Sequence, residues 1–232
     1  MQGILKRISF LTKIFIIWFS FDDVKREDFG FSLDELKTLK SLSTPSKIQD
    51  FLNSLTINFE EKGDSCMSPR RVLREKKAHC IEGALLAAVA LRLQGHRPLI
   101  VDMMASRDDD DHVIAVFKKE NRWGAITKSN HASLRYREPV YRDIRELVLS
   151  FFHEYFLNSN GKKTLRSFSQ PVDLRRFDKR GWMTFEDDVW FIPEYLTTIP
   201  HEKILTPNLV RGLRKVDPIE LKTGKIADYH RE

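Results

Sequence analysis

Cysteine is nearly missing from this chain: Cys66 and Cys80 are the only two among 232 residues. That excludes a disulfide-stapled scaffold and a cysteine-rich zinc site, although histidines remain available as ligands. Glycine and proline are sparse, 10 and 9 respectively, which excludes collagen-like and low-complexity chains. No apolar run reaches the 18 or so clean residues that a membrane-spanning helix needs. What the chain does hold is 16 Phe, 4 Trp and a hydrophobic fraction of 41%. Those residues can offset the entropy of folding, so the chain as a whole is not disordered. Its length suits one domain of ordinary to large size with a real core. Lys and Arg outnumber Asp and Glu by 39 to 33, a net charge of +6. A basic balance permits an acidic partner without requiring one.

The segment Ile8–Phe21 is apolar and follows Lys6 and Arg7. It resembles an export signal, but Lys13 interrupts it, no small-residue cleavage site follows, and it ends in Asp22-Asp23. The expectation is a buried or docked N-terminal helix. Export or peripheral membrane contact through residues 8–21 is the alternative. A cytoplasmic location is the first expectation for the rest of the chain.

Leu33, Leu36, Leu39 and Leu42 recur at helical spacing. Thr44-Pro45 reads as a cap and first helical residue, opening a helix to about Leu55 that buries Ile48, Phe51 and Leu52. A loop follows over 58–69, and Ser68-Pro69 starts another short helix. The strongest element is residues 80–94, CIEGALLAAVALRLQ, with Glu82 and Arg92 its only charges. A helix apolar all round belongs at the centre of a core, and Gly95 ends it. Residues 98–103 read as a buried strand. HVIAVF (112–117) and RWGAIT (122–127), joined by a short polar connection, read as an antiparallel hairpin. Pro139 is expected to open a second helix over about 140–157, residues 163–169 a strand, and Asp187 or Asp188 to cap a helix containing Trp190. The fold class is α+β, an antiparallel sheet packed on a buried central helix, not the alternating pattern of a dinucleotide fold. The domain reading is a helical arm over 1–43, one domain over 44–205 and a polar tail over 206–232.

Cys80 opens the buried helix, where unpaired N–H groups and the helix dipole favour a thiolate. The plainer alternative is an inert small core residue. His112 starts a strand and shares a face with Ile114 and Val116. If the helix packs on that face, the imidazole reaches Cys80 and can serve as its base. The base needs an orienting partner on its other nitrogen. Asn130, just past the second strand, is the first choice because an amide oxygen accepts from an imidazole N–H; Ser129 is the second. His79 is expected to diverge from its neighbour Cys80, and Asp102 is a weaker candidate placed by location alone.

This order of features resembles the core of the transglutaminase-like superfamily, which shares the papain-like cysteine-protease architecture. The features are Cys80 opening a helix, Gly95-x-x-Pro98, a strand, His112 opening a strand, and a hairpin to Arg122-Trp123, with extra N- and C-terminal helices around them. The resemblance covers roughly residues 68–130, with a weaker likeness at 45–55. It implies Cys80 as nucleophile, His112 as base, and no cofactor. It implies acyl transfer or hydrolysis at an amide or ester through a thioester, with a protein or peptide as substrate. The family pattern places Asp about where Thr127 stands, and this chain has no Asp between Asp111 and Asp143. Asn130 is then the substitute, as Asn is in papain-like enzymes.

Asp108–Asp111 would suit a hard cation, but the spacing is not that of an EF-hand, and a solvated loop is the expectation; no metal is assigned. Residues 118–145 carry eight basic and three acidic side chains with aromatics interleaved. That composition supports the competing reading: a degenerate binding module with a basic surface for an acidic protein or nucleic acid. No zinc-finger, KH or RRM signature accompanies it.

Overall fold

The computed structural model describes residues 29–61 and 63–227. The apolar segment 8–21 lies outside them. Among the described residues no helix is long and apolar enough to cross a membrane.

Three short helices precede the centre of the fold: α1 (Leu33–Ser41), α2 (Pro45–Ser54) and α3 (Pro69–Glu75). Each is capped by a hydroxyl. Ser32, Thr44 and Ser68 accept from the backbone N–H three residues on, and Pro at the first position of α2 and α3 fills the helix start at no hydrogen-bond cost. Between α2 and α3 the chain forms β1 (Thr56–Ile57), which pairs in parallel with β2 (Lys77–Ala78). Helix α4 (Cys80–Leu93) follows at once. Every residue from Ile81 to Leu91 is buried, as a helix without a polar face requires. Gly95, at φ +86°, ends it in the left-handed region that favours glycine.

The sheet consists of β3 (Leu99–Met104), β4 (His112–Lys119), β5 (Arg122–Ile126), β6 (Arg137–Tyr141), β7 (Ser167–Ser169), β8 (Val172–Asp173) and β9 (His201–Lys203). Its order is β6-β5-β4-β3-β7-β9, with β8 also on β3, and every pairing is antiparallel. The expected hairpin is β4–β5. One face, carrying Ile100, Val113, Ala115 and Phe117, packs with α4 and its satellites. The other, carrying Val101, Ile114 and Val116, packs on α5 (Ile144–Leu149) and the residues after it. The fold is therefore α+β with a seven-stranded antiparallel sheet covered on both faces.

Two expectations need correction here. The helix expected over 140–157 is mostly something else. Pro139 sits in β6 at the sheet edge, where a missing N–H is tolerated. Asp143 then caps α5 by accepting from Glu146 N at 2.7 Å. After Leu147 the backbone bonds tighten: Phe151 N reaches Val148 O and Phe152 N reaches Leu149 O. Phe151, Phe152 and Tyr155 keep their core positions without α geometry. Likewise Asp188 does not cap α6 (Phe191–Thr198); it accepts from Cys66 N at 3.2 Å and from Arg71 at 2.6 Å. The chain closes with α7 (Pro207–Arg211) and α8 (Pro218–Gly224). Ile226 O then accepts from Ala132 N at 3.1 Å, so the polar C-terminal stretch packs as an arm.

Candidate active site

Cys80 is the first residue of α4, and it is half-buried. The helix start is set two residues further on. Glu82 is buried, and its carboxylate accepts from His79 N at 2.9 Å, a bond that fixes where extended chain becomes helix. The same carboxylate accepts from Met67 N at 2.9 Å, Ser65 Oγ at 3.1 Å and Asn58 Nδ2 at 3.1 Å. The loop between β1 and α3 is thus tied to the Cys80 end of α4. A buried carboxylate is tolerable only with such a set of donors.

His112 and Cys80 line one cleft, and the imidazole is the foremost of the groups that hold the Cys80 thiol down. The route is not the expected one. Helix α4 lies against the sheet face opposite Ile114 and Val116. The two side chains share the cleft because each stands at the end of its element, Cys80 at the start of α4 and His112 at the start of β4. The other ring nitrogen, Nε2, is 2.6 Å from Thr127 Oγ1. The orienter is therefore Thr127 and not Asn130. The β4–β5 register explains it. Ala115 faces Ile126, so position 127 continues opposite 114, diagonally across from His112 on the same face. Thr127 is itself clamped. The Gln49 side chain accepts from Thr127 N at 3.0 Å and donates to Thr127 O at 2.9 Å. Next along, Lys128 turns inward and is buried, donating to Leu52 O at 2.9 Å and Leu55 O at 2.5 Å at the end of α2. Ser129 Oγ accepts from His131 N at 3.0 Å, and Asn130 lines the cleft.

His79, expected to diverge from Cys80, lines the same cleft. The backbone breaks from extended to helical between residues 79 and 80. The spacing His79-x-x-Glu82 was the available signal, because it marks that break. Burial alone would push the Cys80 thiol up. Hydrogen bonds from His112 and His79, and their charge, outweigh it and hold the thiol down at about 5. Burial opposes a charged His79 too, yet the thiolate and Glu82 hold that imidazole up at about 9.

The remaining candidates stand near the cleft but are engaged elsewhere or inert. Cys66 is buried, and burial together with Glu82 and Asp188 pushes its thiol far up, so it is inert beside Cys80. The two cysteines are not bonded to each other. Asp102 faces α4 from β3, but its Oδ2 is taken by His201 Nε2 at 3.0 Å. In the Asp108–Asp111 loop, Asp108 pairs with Lys162 at 2.7 Å and Asp111 accepts from Ala105 N at 2.7 Å. Among the described residues no group of three or more His, Cys, Asp or Glu side chains is arranged to hold a metal ion.

The thiol opens into a cleft of about 530 Å³, whose walls include Asn58, Glu60, His79, His112, Asn130 and Tyr155. The arrangement supplies a thiolate, an oriented imidazole and a helix-start N–H around one concave space. That is what nucleophilic attack on a carbonyl needs. No protein-family model matches this chain, and no curated protein matches it.

Proposed function

We propose that the protein is a transglutaminase-like cysteine hydrolase or acyltransferase with a papain-like core. One observation carries the reading: Cys80, at the start of a buried helix, shares a cleft with His112, whose Nε2 is held by Thr127. In this reading the Cys80 thiolate attacks an amide or ester carbonyl carbon. The C–S bond forms as the carbonyl π pair moves to oxygen. As the first helical residue, Cys80 has an N–H with no intrahelical acceptor, and it serves that oxyanion. His112 protonates the leaving nitrogen or oxygen, the old bond breaks, and a thioester remains. Water, giving its proton to His112, then attacks the thioester, and the thiolate leaves. Hydrolysis is preferred over transfer because water needs no second binding site. The scheme draws on no cofactor. A protein or peptide is the substrate the resemblance implies. Two free cysteines suit a reducing compartment such as the cytoplasm.

The test is labelling with a chloroacetamide peptide probe, followed by mass mapping, on the wild type and on Cys80→Ala. Rapid modification at Cys80 at neutral pH, absent in the variant, is expected. If Cys80 behaves like a free thiol near 8.5, the reading fails and the fold serves as a binding module. The basic surface offers that alternative little support. Arg137 is paired with Glu154, Arg142 with Glu146, Arg145 with Glu202 and Arg175 with Asp173.

A further inference from the structure

The two imidazoles that share the cleft with Cys80 stand in different surroundings, and the difference assigns them different work. Nε2 of His79 is 2.9 Å from Ser65 O, 3.4 Å from Glu82 Oε1 and 3.6 Å from Glu60 Oε1. A carbonyl and two carboxylates are all acceptors, so this nitrogen must carry a proton. The nitrogen left for the sulfur is Nδ1. A proton there as well makes the ring a cation between a thiolate and two carboxylates, each of which favours it. Nε2 of His112 faces instead the Thr127 hydroxyl at 2.6 Å. A hydroxyl both donates and accepts. His112 can therefore gain or lose a proton without losing that bond, as proton transfer in both directions requires.

We infer that His79 is a second catalytic imidazole, a fixed donor and positive charge on the Cys80 sulfur that leaves proton transfer to His112 alone. This rests on Cys80 being the nucleophile, and it extends that reading. It also gives the neutral Thr127 a physical reason. The negative charge that would otherwise stand behind the base stands here behind its neighbour, in Glu82 and Glu60. Other titratable groups coupled to the pair are Cys66 in the loop before α3, Asp102 on β3 and Tyr155 after α5. Asp109–Asp111 stand further along the cleft wall. Cys66 is neutral and Asp102 is engaged by His201, so Glu82 and Glu60 are the carboxylates in contact with His79.

The experiment follows the iodoacetamide alkylation rate of Cys80 against pH in the wild type, His79→Gln, His79→Lys and His112→Gln. p-Nitrophenyl acetate turnover is measured in parallel. The expected result is a thiolate lost in His79→Gln, its fraction at pH 6 falling at least tenfold, which is an upward shift of about one pH unit or more. His79→Lys restores it by restoring the cation. His112→Gln raises the inflection as well, since that ring also holds the thiol down, but it alone loses turnover that restoring a cation cannot recover. Ring NMR of the unaltered protein covers the case in which a variant does not fold: His79 should remain charged at pH 8. The inference is overturned if His79→Gln leaves the inflection in place while His112→Gln raises it, or if His79 is neutral at pH 7. A wild-type Cys80 that alkylates like a free thiol overturns the nucleophile reading as well, so the two failures are distinguishable.

Discussion

At the residue scale the site depends on a few short polar contacts whose loss is measurable one at a time. Thr127→Val keeps the shape of the side chain and removes the hydroxyl from His112. A net hydrogen bond of about 1–1.5 kcal/mol corresponds to roughly a tenfold loss of turnover with an activated ester, and to a fall of roughly 2–6 °C in melting temperature. Asn130→Ala, by contrast, should leave the thiol inflection where it is, because that side chain does not hold the ring. The pH dependence has two opposite signs. The Cys80 thiol is held down at about 5, so its anion contributes stability that is full above the unfolded thiol value and is lost as pH falls through about 5. His79 is held up at about 9, so its cation contributes fully below the unfolded imidazole value and is lost as pH rises through about 9. The joint contribution is greatest between about pH 6.5 and 8.5, the two unfolded values. A melting-temperature profile of the wild type minus that of Cys80→Ala should peak in that interval, and alkylation of Cys80 should rise through about pH 5. The sequence made Cys80 and His112 legible, since each stands at the start of a strongly patterned element. It left Thr127 and His79 illegible in their roles, since one is neutral where a carboxylate was awaited and the other depends on a backbone break.

At the element scale the sign of a familiar substitution reverses. Gly83 lies inside α4, where replacing glycine by alanine would ordinarily stabilise by about 1 kcal/mol. A Cβ at Gly83 would stand 2.5 Å from the Lys128 Cβ. That atom is the rigid root of a side chain that is itself committed to the end of α2 through Leu52 O and Leu55 O. Gly83→Ala should therefore destabilise by about 1–3 kcal/mol, the usual cost of overpacking. For a chain of this length that is a loss of roughly 2–12 °C, readable by calorimetry. Lys128 and Gln49 act in the same way on either side of Thr127. Both tie the strand end to α2, and neither role follows from local sequence, because each partner lies far away in the chain. The same holds for the segment after Pro139. Its apolar spacing is real, and the buried Val148, Phe151 and Tyr155 satisfy it. Whether such spacing is wound as helix or as tighter turns is decided by packing against the sheet.

At the scale of the whole molecule, α1 is part of the same core as α4 and not a detachable arm. Leu36, Leu39 and Leu42 belong to the cluster that contains Leu85, Leu86 and Val89. Across its outer side Arg70 bonds Glu35 at 3.0 Å. Leu39 is 1% exposed, so Leu39→Ala should cost about 2–5 kcal/mol within a single cooperative transition. Two separate transitions in a calorimetric scan would show instead that α1 folds apart from the domain. At the other end of α4, Arg92 bonds Asp178 at 2.7 Å, and Asp178 also accepts from Trp182 Nε1 at 3.1 Å. The central helix is thus held at its tail by a segment some 86 residues further along the chain.

The sequence by itself determined the α+β class, the buried central helix, the β4–β5 hairpin and the places of Cys80 and His112 at the starts of their elements. These follow from patterning within short windows, where burial and side-chain period leave few alternatives. Tertiary structure alone decided the sheet order beyond the hairpin, the strand nature of residues 137–141, and which polar group meets His112. It also decided that His79 lines the same cleft as Cys80. Those outcomes depend on register between strands and on donors and acceptors brought together from distant segments, and a buried polar group takes whichever partner the packed chain delivers to it.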